Sequence, residues 1–169
     1  ASTVVLPALR ANFSFPIVGT VPAIKPAAKI SETKTIGLLA TVGTIKRPYV
    51  LDLIQKYASD CEVEKIGQTK IVELAEEKLL NGKVDVDALV DCVKEWKVHS
   101  KLDTVILGCT HFPFLKAELK QILPNVKFFV DSGEAIAKRV KSLIAEKSNF
   151  NGEQDAKNQA FCTKLTDDF

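Results

Sequence analysis

The feature that most restricts what this chain can become is its alternation of short apolar runs with helical stripes. Thr35-Ile36-Gly37-Leu38-Leu39-Ala40 and Thr104-Val105-Ile106-Leu107 are brief apolar runs, each followed by polar residues that include glycine. Runs of that length without polar alternation predict strands buried on both faces. Val50, Leu53, Ile54 and Tyr57 recur at i, i+3, i+4 and i+7, and Val86, Leu89, Val90 and Val93 repeat the pattern. Ile136, Val140, Leu143 and Ile144 form a third stripe. Residues 61–66 and 126–130 read as further strands, the first less apolar and so nearer a sheet edge. The alternation implies βαβ units and an α/β fold: a parallel, Rossmann-like sheet covered on both faces.

Such a sheet binds ligands at the carboxyl ends of its strands, which directs attention to the loops at 41–46 and 108–113. Pro16, Pro22 and Pro26 suit a rigid crossover or hinge over 16–29. With 46% apolar and 26% charged residues the chain belongs to the globular class, not the disordered one. Its 23 basic and 21 acidic residues leave +2, too little to draw nucleic acid by field alone. No stretch approaches the roughly 20 apolar residues of a membrane span, so no membrane partner is expected and the cytoplasm is the expected compartment. The four cysteines are accordingly expected as thiols. The sequence opens Ala1-Ser2-Thr3 and contains no methionine, which suggests a processed or cleaved chain.

The strongest chemical constellation is Gly108-Cys109-Thr110-His111-Phe112-Pro113, where the second apolar run ends. A thiol there faces the crevice, and a helix expected just beyond Pro113 would point amides at it. An imidazole two residues away is the kind of neighbour that makes a cysteine a base or nucleophile. The plainer alternative is a packed cysteine beside a loop histidine. Zinc is disfavoured because Cys61, Cys92 and Cys162 are scattered singly, without paired ligand spacing. Cys61 and Cys92 are expected to be structural, and Cys162 is left undecided. Ala40-Thr41-Val42-Gly43-Thr44, at the other strand's end, offers two hydroxyls and free amides for an anion, though an ordinary turn explains it as well. On the stretch Val72-Glu73-Leu74-Ala75-Glu76-Glu77, Ile71, Leu74 and Ala75 mark a buried side; Glu73 and Glu77 read as solvated and Glu76 as ambiguous. Asp131-Ser132-Gly133-Glu134 reads as a helix N-cap.

Taken together, Cys109-Thr110-His111-Phe112-Pro113, Ala40-Thr41-Val42-Gly43-Thr44, Val72-Glu73-Leu74-Ala75-Glu76, Asp131-Ser132-Gly133 and Val21-Pro22-Ala23-Ile24-Lys25-Pro26-Ala27-Ala28 closely resemble bacterial glutamate racemases over residues 1–161. The resemblance implies a cofactor-independent isomerase that interconverts L- and D-glutamate for peptidoglycan synthesis. It has two α/β lobes and a thiol from each lobe on opposite sides of the substrate α-carbon. Carried over by position, Cys109 is the second catalytic cysteine and His111 its assisting histidine. Glu76 becomes the active-site glutamate, and Thr110, Thr41 and Thr44 are substrate-contacting hydroxyls. No metal or cofactor is implied; a homodimer is, together with an activator in some members, a UDP-linked muramyl peptide. Family chain path would make 23–130 a complete second lobe and 1–22 with 131–169 part of the first. In that family the first cysteine sits in a Cys-Asn-Thr triplet immediately before an Ala-Ser pair, and the present sequence starts at Ala1-Ser2. The chain is therefore expected to represent a carboxyl-terminal two-thirds, without turnover of its own.

Three other readings compete. Aspartate racemases share the two-thiol scheme but typically carry glutamate where this chain has His111. A cysteine-nucleophile hydrolase would use Cys109 and His111 but also needs an oxyanion hole and an orienter for the histidine. A non-catalytic fragment would expose uncovered apolar stripes and associate through them.

Overall fold

The computed structural model describes residues 2–145. Cys162 and the remainder of the 131–169 segment beyond Ala145 lie outside the described residues. The order is α1 (Ser2–Asn12), α2 (Ile24–Ile30), β1 (Thr35–Ala40), α3 (Val42–Ile45), α4 (Pro48–Tyr57), β2 (Glu62–Gly67), α5 (Lys70–Asn81) and α6 (Val86–Lys97). It continues through β3 (Thr104–Leu107), a 3-10 turn (Phe112–Leu115), α7 (Lys116–Ile122), β4 (Phe128–Val130) and α8 (Gly133–Ala145). The four strands form one parallel sheet in the order β2-β1-β3-β4. No described helix is long and apolar enough to cross a membrane.

Period-two alternation divides β1 between two cores. Ile36, Leu38 and Ala40 join α2 and α4 on one face, while Leu39 joins α5, α6 and α7 on the other. Covering both faces makes β1 and β3 uninterrupted apolar runs, as the sequence predicts. Gly37 supplies room for the indole of Trp96: a Cβ there would stand 2.8 Å from the ring. β2 is at the sheet edge and begins one residue later than expected, because the Cys61 amide donates to Ala58 O and holds Cys61 in the preceding bend. β4 is three residues rather than five, since the Val126 amide closes a turn onto Leu123 O. The helix α1, with Pro7 inside it, is not signalled by the apolar spacing. The α8 stripe is helical, yet none of its described residues is buried.

The amino ends of the strands converge on Asp103, which is 3% exposed. Its carboxylate accepts from Ser31 Oγ (2.7 Å), the Glu32 amide (2.7 Å), the Thr33 amide (2.9 Å) and Thr104 Oγ1 (2.8 Å). Its carbonyl accepts from the amides of Lys127 and Phe128, which lead into β4. One residue thus fixes where β1, β3 and β4 begin. Burial pushes the Asp103 carboxyl up, but the bonds from Thr33, Ser31, Thr104 and Glu32 prevail and hold it below the usual carboxylate range.

A folded-state value below the unfolded one means that Asp103 stabilises the fold above its ordinary value of 3.8. That contribution is lost as pH falls through the lowered folded value. Asp103→Asn is expected to cost on the order of 2–4 kcal/mol at neutral pH and to flatten the acid limb of stability against pH. Urea unfolding of both proteins across the acid range measures this, and an unchanged midpoint would contradict the role given to Asp103.

Candidate functional site

Chain connectivity fixes where a ligand can lie. From β1 the chain crosses to β2 on one side, then returns past β1 to β3 on the other. The loops leaving β1 and β3 therefore diverge, opening a crevice at the carboxyl ends of these two strands. Gly108 lets the loop after β3 hug β1. Its amide donates to Leu39 O at 2.7 Å, and a Cβ on it would stand 3.0 Å from that carbonyl. Cys109 follows immediately, half-buried at the mouth of the crevice.

The turn after Cys109 starts at Phe112, earlier than the helix expected beyond Pro113, and it is 3-10 before becoming α7. The Phe112 amide is taken up by Cys109 O, and the Phe114 amide by His111 O. The turn thereby curls His111 back towards the thiol. His111 Nδ1 lies 3.7 Å from Cys109 Sγ, and His111 Nε2 lies 2.5 Å from Glu76 Oε1. With Nε2–H donating to the carboxylate, Nδ1 is left with its lone pair facing Sγ. Proton transfer from Sγ to Nδ1 would then create an imidazolium already paired with Glu76. The three groups form a chain from the crevice outward, and His111 and Glu76 retain 31% and 51% side-chain exposure.

Glu76 reaches this position because α5 packs through Ile71, Leu74 and Ala75, which leaves residue 76 at the edge of the buried face. Asp85 Oδ1 accepts from the Ala88 amide to start α6, and left-handed Gly82 (φ 69°) ends α5.

A cavity of about 590 Å³ opens beside the thiol. Its walls include Gly108, Cys109 and Thr110, Tyr49 from α4, Asp131 and Ser132 after β4, and Thr20, Val21 and Pro22. That size suits a small ligand. Thr41 and Thr44 stand at the neighbouring strand end, their hydroxyls 3.0 Å apart and bonded to each other, and neither belongs to the cavity wall. Asp131 Oδ1 accepts from the amide of Gly133, the first residue of α8, whereas Ser132 at the N-cap position donates its Oγ to Val21 O and ties the two chain segments flanking the cavity. Tyr49 is the wall residue that sequence reasoning passes over. Its only signal is an aromatic beside Pro48 in the first turn after the β1 loop.

The other described cysteines sit elsewhere. Burial pushes the Cys92 thiol up, and burial with Asp60 does the same for Cys61, so both remain protonated thiols at neutral pH. Glu62 and Glu64 on the edge strand and His99 just after α6 bring three potential metal-ligand atoms within 4.8 Å of one another. They belong to the opposite, amino end of the sheet from Cys109.

The sequence profile of the Asp/Glu/Hydantoin racemase family matches residues 1–140. The chain belongs to that family. It is 63% identical over all 169 residues to glutamate racemase of Actinobacillus pleuropneumoniae serotype 3 (strain JL03), covering 64% of that protein. It is 60% identical over 168 residues to glutamate racemase of Pasteurella multocida (strain Pm70), covering 99% of this chain and 62% of that one. Among solved structures, Escherichia coli glutamate racemase in complex with L-glutamate and the activator UDP-MurNAc-Ala superposes with a TM-score of 0.90 at 48% identity. That match covers 98% of this chain and 62% of the other. The chain thus spans somewhat under two-thirds of the length of these relatives. The parallel α/β sheet expected from the apolar runs is the fold these racemases share.

The histidine contact of Cys109, the burial of Cys92 and the raised Cys61 thiol make Cys109 the fastest-alkylating thiol of the three described. In iodoacetamide labelling followed by mass spectrometry, Cys109 is expected to react first and Cys92 last. His111→Asn should slow Cys109 several-fold. Equal labelling of Cys92 and Cys109 would contradict this arrangement.

Proposed function

We propose that the protein containing this chain is a glutamate racemase. It interconverts L- and D-glutamate in the cytoplasm without a cofactor, for peptidoglycan synthesis. The observation that carries the reading is the Cys109–His111–Glu76 chain ending at a small cavity in a member of this family. Glutamate racemases at 60–63% identity support the choice of reaction, and the L-glutamate complex of the E. coli protein supports the choice of substrate.

In this reading Cys109 exchanges a proton with one face of the substrate α-carbon. As thiolate it takes the α-proton of one enantiomer, and as thiol it returns a proton to the same face in the reverse reaction. His111 relays charge away from sulfur, and Glu76 holds the ring. The developing negative charge spreads into the substrate carboxylate and needs donors, a role given to the Thr110 hydroxyl and to Thr41 and Thr44. Inversion also requires an acid on the opposite face. Cys109 is the single described cysteine on the cavity wall, so the group serving the opposite face is not one of the described cysteines. The two-lobe division is part of the same reading: 23–130, which contains every described strand, forms one lobe, and 1–22 with 131–169 contributes to another.

A UDP-linked muramyl peptide activator belongs to the proposal as well, supported by the activator named for the E. coli structure. A second cavity of about 560 Å³ is walled by Arg10, Arg139, Phe13 and Phe15, a cationic and aromatic lining suited to a nucleoside diphosphate. A homodimer completes the reading. Exposed Val4 and Val5 on α1, with Val140 and Ile144 on α8, offer apolar surface for it.

Circular dichroism of L-glutamate solutions containing the natively encoded protein is expected to decay to zero. Cys109→Ala should abolish the decay, by at least about 10³-fold. Persistence of optical activity, or release of a hydrolysis product, would overturn the assignment and favour the hydrolase. Faster loss of signal from L-aspartate than from L-glutamate would favour aspartate racemase.

A further inference from the structure

Lys78 occupies a place where helix periodicity calls for an apolar side chain. Ile71, Leu74, Ala75 and Lys78 follow i, i+3, i+4 and i+7, and the first three are fully buried. The lysine follows the row inward with a side chain only 27% exposed. Its ammonium donates to Glu118 Oε1 on α7 at 2.7 Å and to Phe114 O in the 3-10 turn at 2.8 Å. Glu118 commits its other oxygen to no partner among the described residues, although that oxygen is buried. Burial pushes the Glu118 carboxyl up, but the bond from Lys78 prevails and holds it below the usual range, so its carboxylate is charged at neutral pH.

The consequence lies one hydrogen bond further on. Phe114 is the residue whose amide closes the turn onto His111 O. Lys78 therefore connects α5, which carries Glu76, to the backbone that carries His111. Glu76 and His111 are themselves partly solvated, and water competes for both partners. Their 2.5 Å contact depends on how α5 is set against the turn. Packing of Leu74 and Ala75 near Phe112 and Leu115 brings the two elements together; the Lys78 fork fixes their offset through two directional bonds.

We propose that Lys78, anchored by Glu118, is a positioning residue that sets the Glu76–His111 contact and thereby the readiness of Cys109 to exchange a proton. The inference rests on the proposed racemase reading for its kinetic readout. It touches neither substrate nor thiol. Replacing the fork lets α5 shift against the turn, Glu76 then releases His111, and proton transfer at Cys109 slows while substrate binding in the cavity is kept.

The test is a double-mutant cycle in the natively encoded protein. Lys78→Met should lower kcat for glutamate about tenfold with KM changed less than about twofold, and in a Glu76→Gln background it should cost nothing further. Lys78→Arg, which retains a charged fork, should recover most of the loss. An unchanged kcat, or the same tenfold loss with and without Glu76, would overturn the proposal, because a general packing defect would act in both backgrounds. Should Lys78→Met fail to fold, Glu118→Gln keeps the shape of the anchor and should show a smaller loss with the same dependence on Glu76. Alkylation of Cys109 across pH supplies a readout independent of turnover: Lys78→Met should move its profile in the direction that Glu76→Gln does. Identical Cys109 profiles for wild type and Lys78→Met would sink the positioning role even if glutamate were not the substrate. A wild-type protein that leaves glutamate optically active would instead sink the racemase reading.

Discussion

The buried carboxylate of Asp103 is the constraint on which the rest of the structure depends. A charge 3% exposed is tolerated only because four donors from the segment before β1 and from β3 itself satisfy it. With β1, β3 and β4 started in register at the amino end, their carboxyl ends arrive in register too. The opening between β1 and β3 is therefore a product of the anchor beneath it. Parallel pairing then leaves no freedom in where Gly108 meets Leu39 O, and Cys109 is delivered to the crevice by the chain path.

What the sequence made legible has a physical reason in each case. Thr35–Ala40 and Thr104–Leu107 could be read with their boundaries because strands buried on both faces must be apolar throughout. The helices α4 and α6 were legible from one-sided burial. Boundaries failed where hydrogen bonds outside the regular pattern decide them: the Cys61 bend, the turn at Val126, and the 3-10 turn that takes up the Phe112 amide. Helix α1 escaped because Pro7 and the lack of an apolar period hide it. The α8 stripe was readable as a helix, but its cover is not among the described residues.

The candidate site divides the same way. Cys109 and His111 are neighbours in the chain, so a spacing argument reaches them. Glu76 is 35 residues away from its histidine and looks like surface charge on its own helix, and only the resemblance singled it out. Tyr49 and Lys78 carry only faint local signatures, an aromatic beside Pro48 and a lysine on an apolar row, since each owes its place to packing between elements distant in sequence. The threonines at 41 and 44 are beside the crevice, with hydroxyls engaged by each other; a ligand would have to replace that bond to use them.

A thiol, an imidazole and a carboxylate in series could serve either acyl transfer or proton exchange. The turn beyond Cys109 spends its Phe112 amide on the Cys109 carbonyl, which removes one donor an oxyanion hole would need. The proposed racemase reading puts the chemistry at a substrate carbon–hydrogen bond. The most direct measurement is the proton NMR spectrum of L-glutamate incubated in D₂O with the natively encoded protein. The account predicts that the α-proton signal disappears with the wild type and persists with Cys109→Ala. Exchange that continues undiminished without the sulfur at position 109 would contradict it.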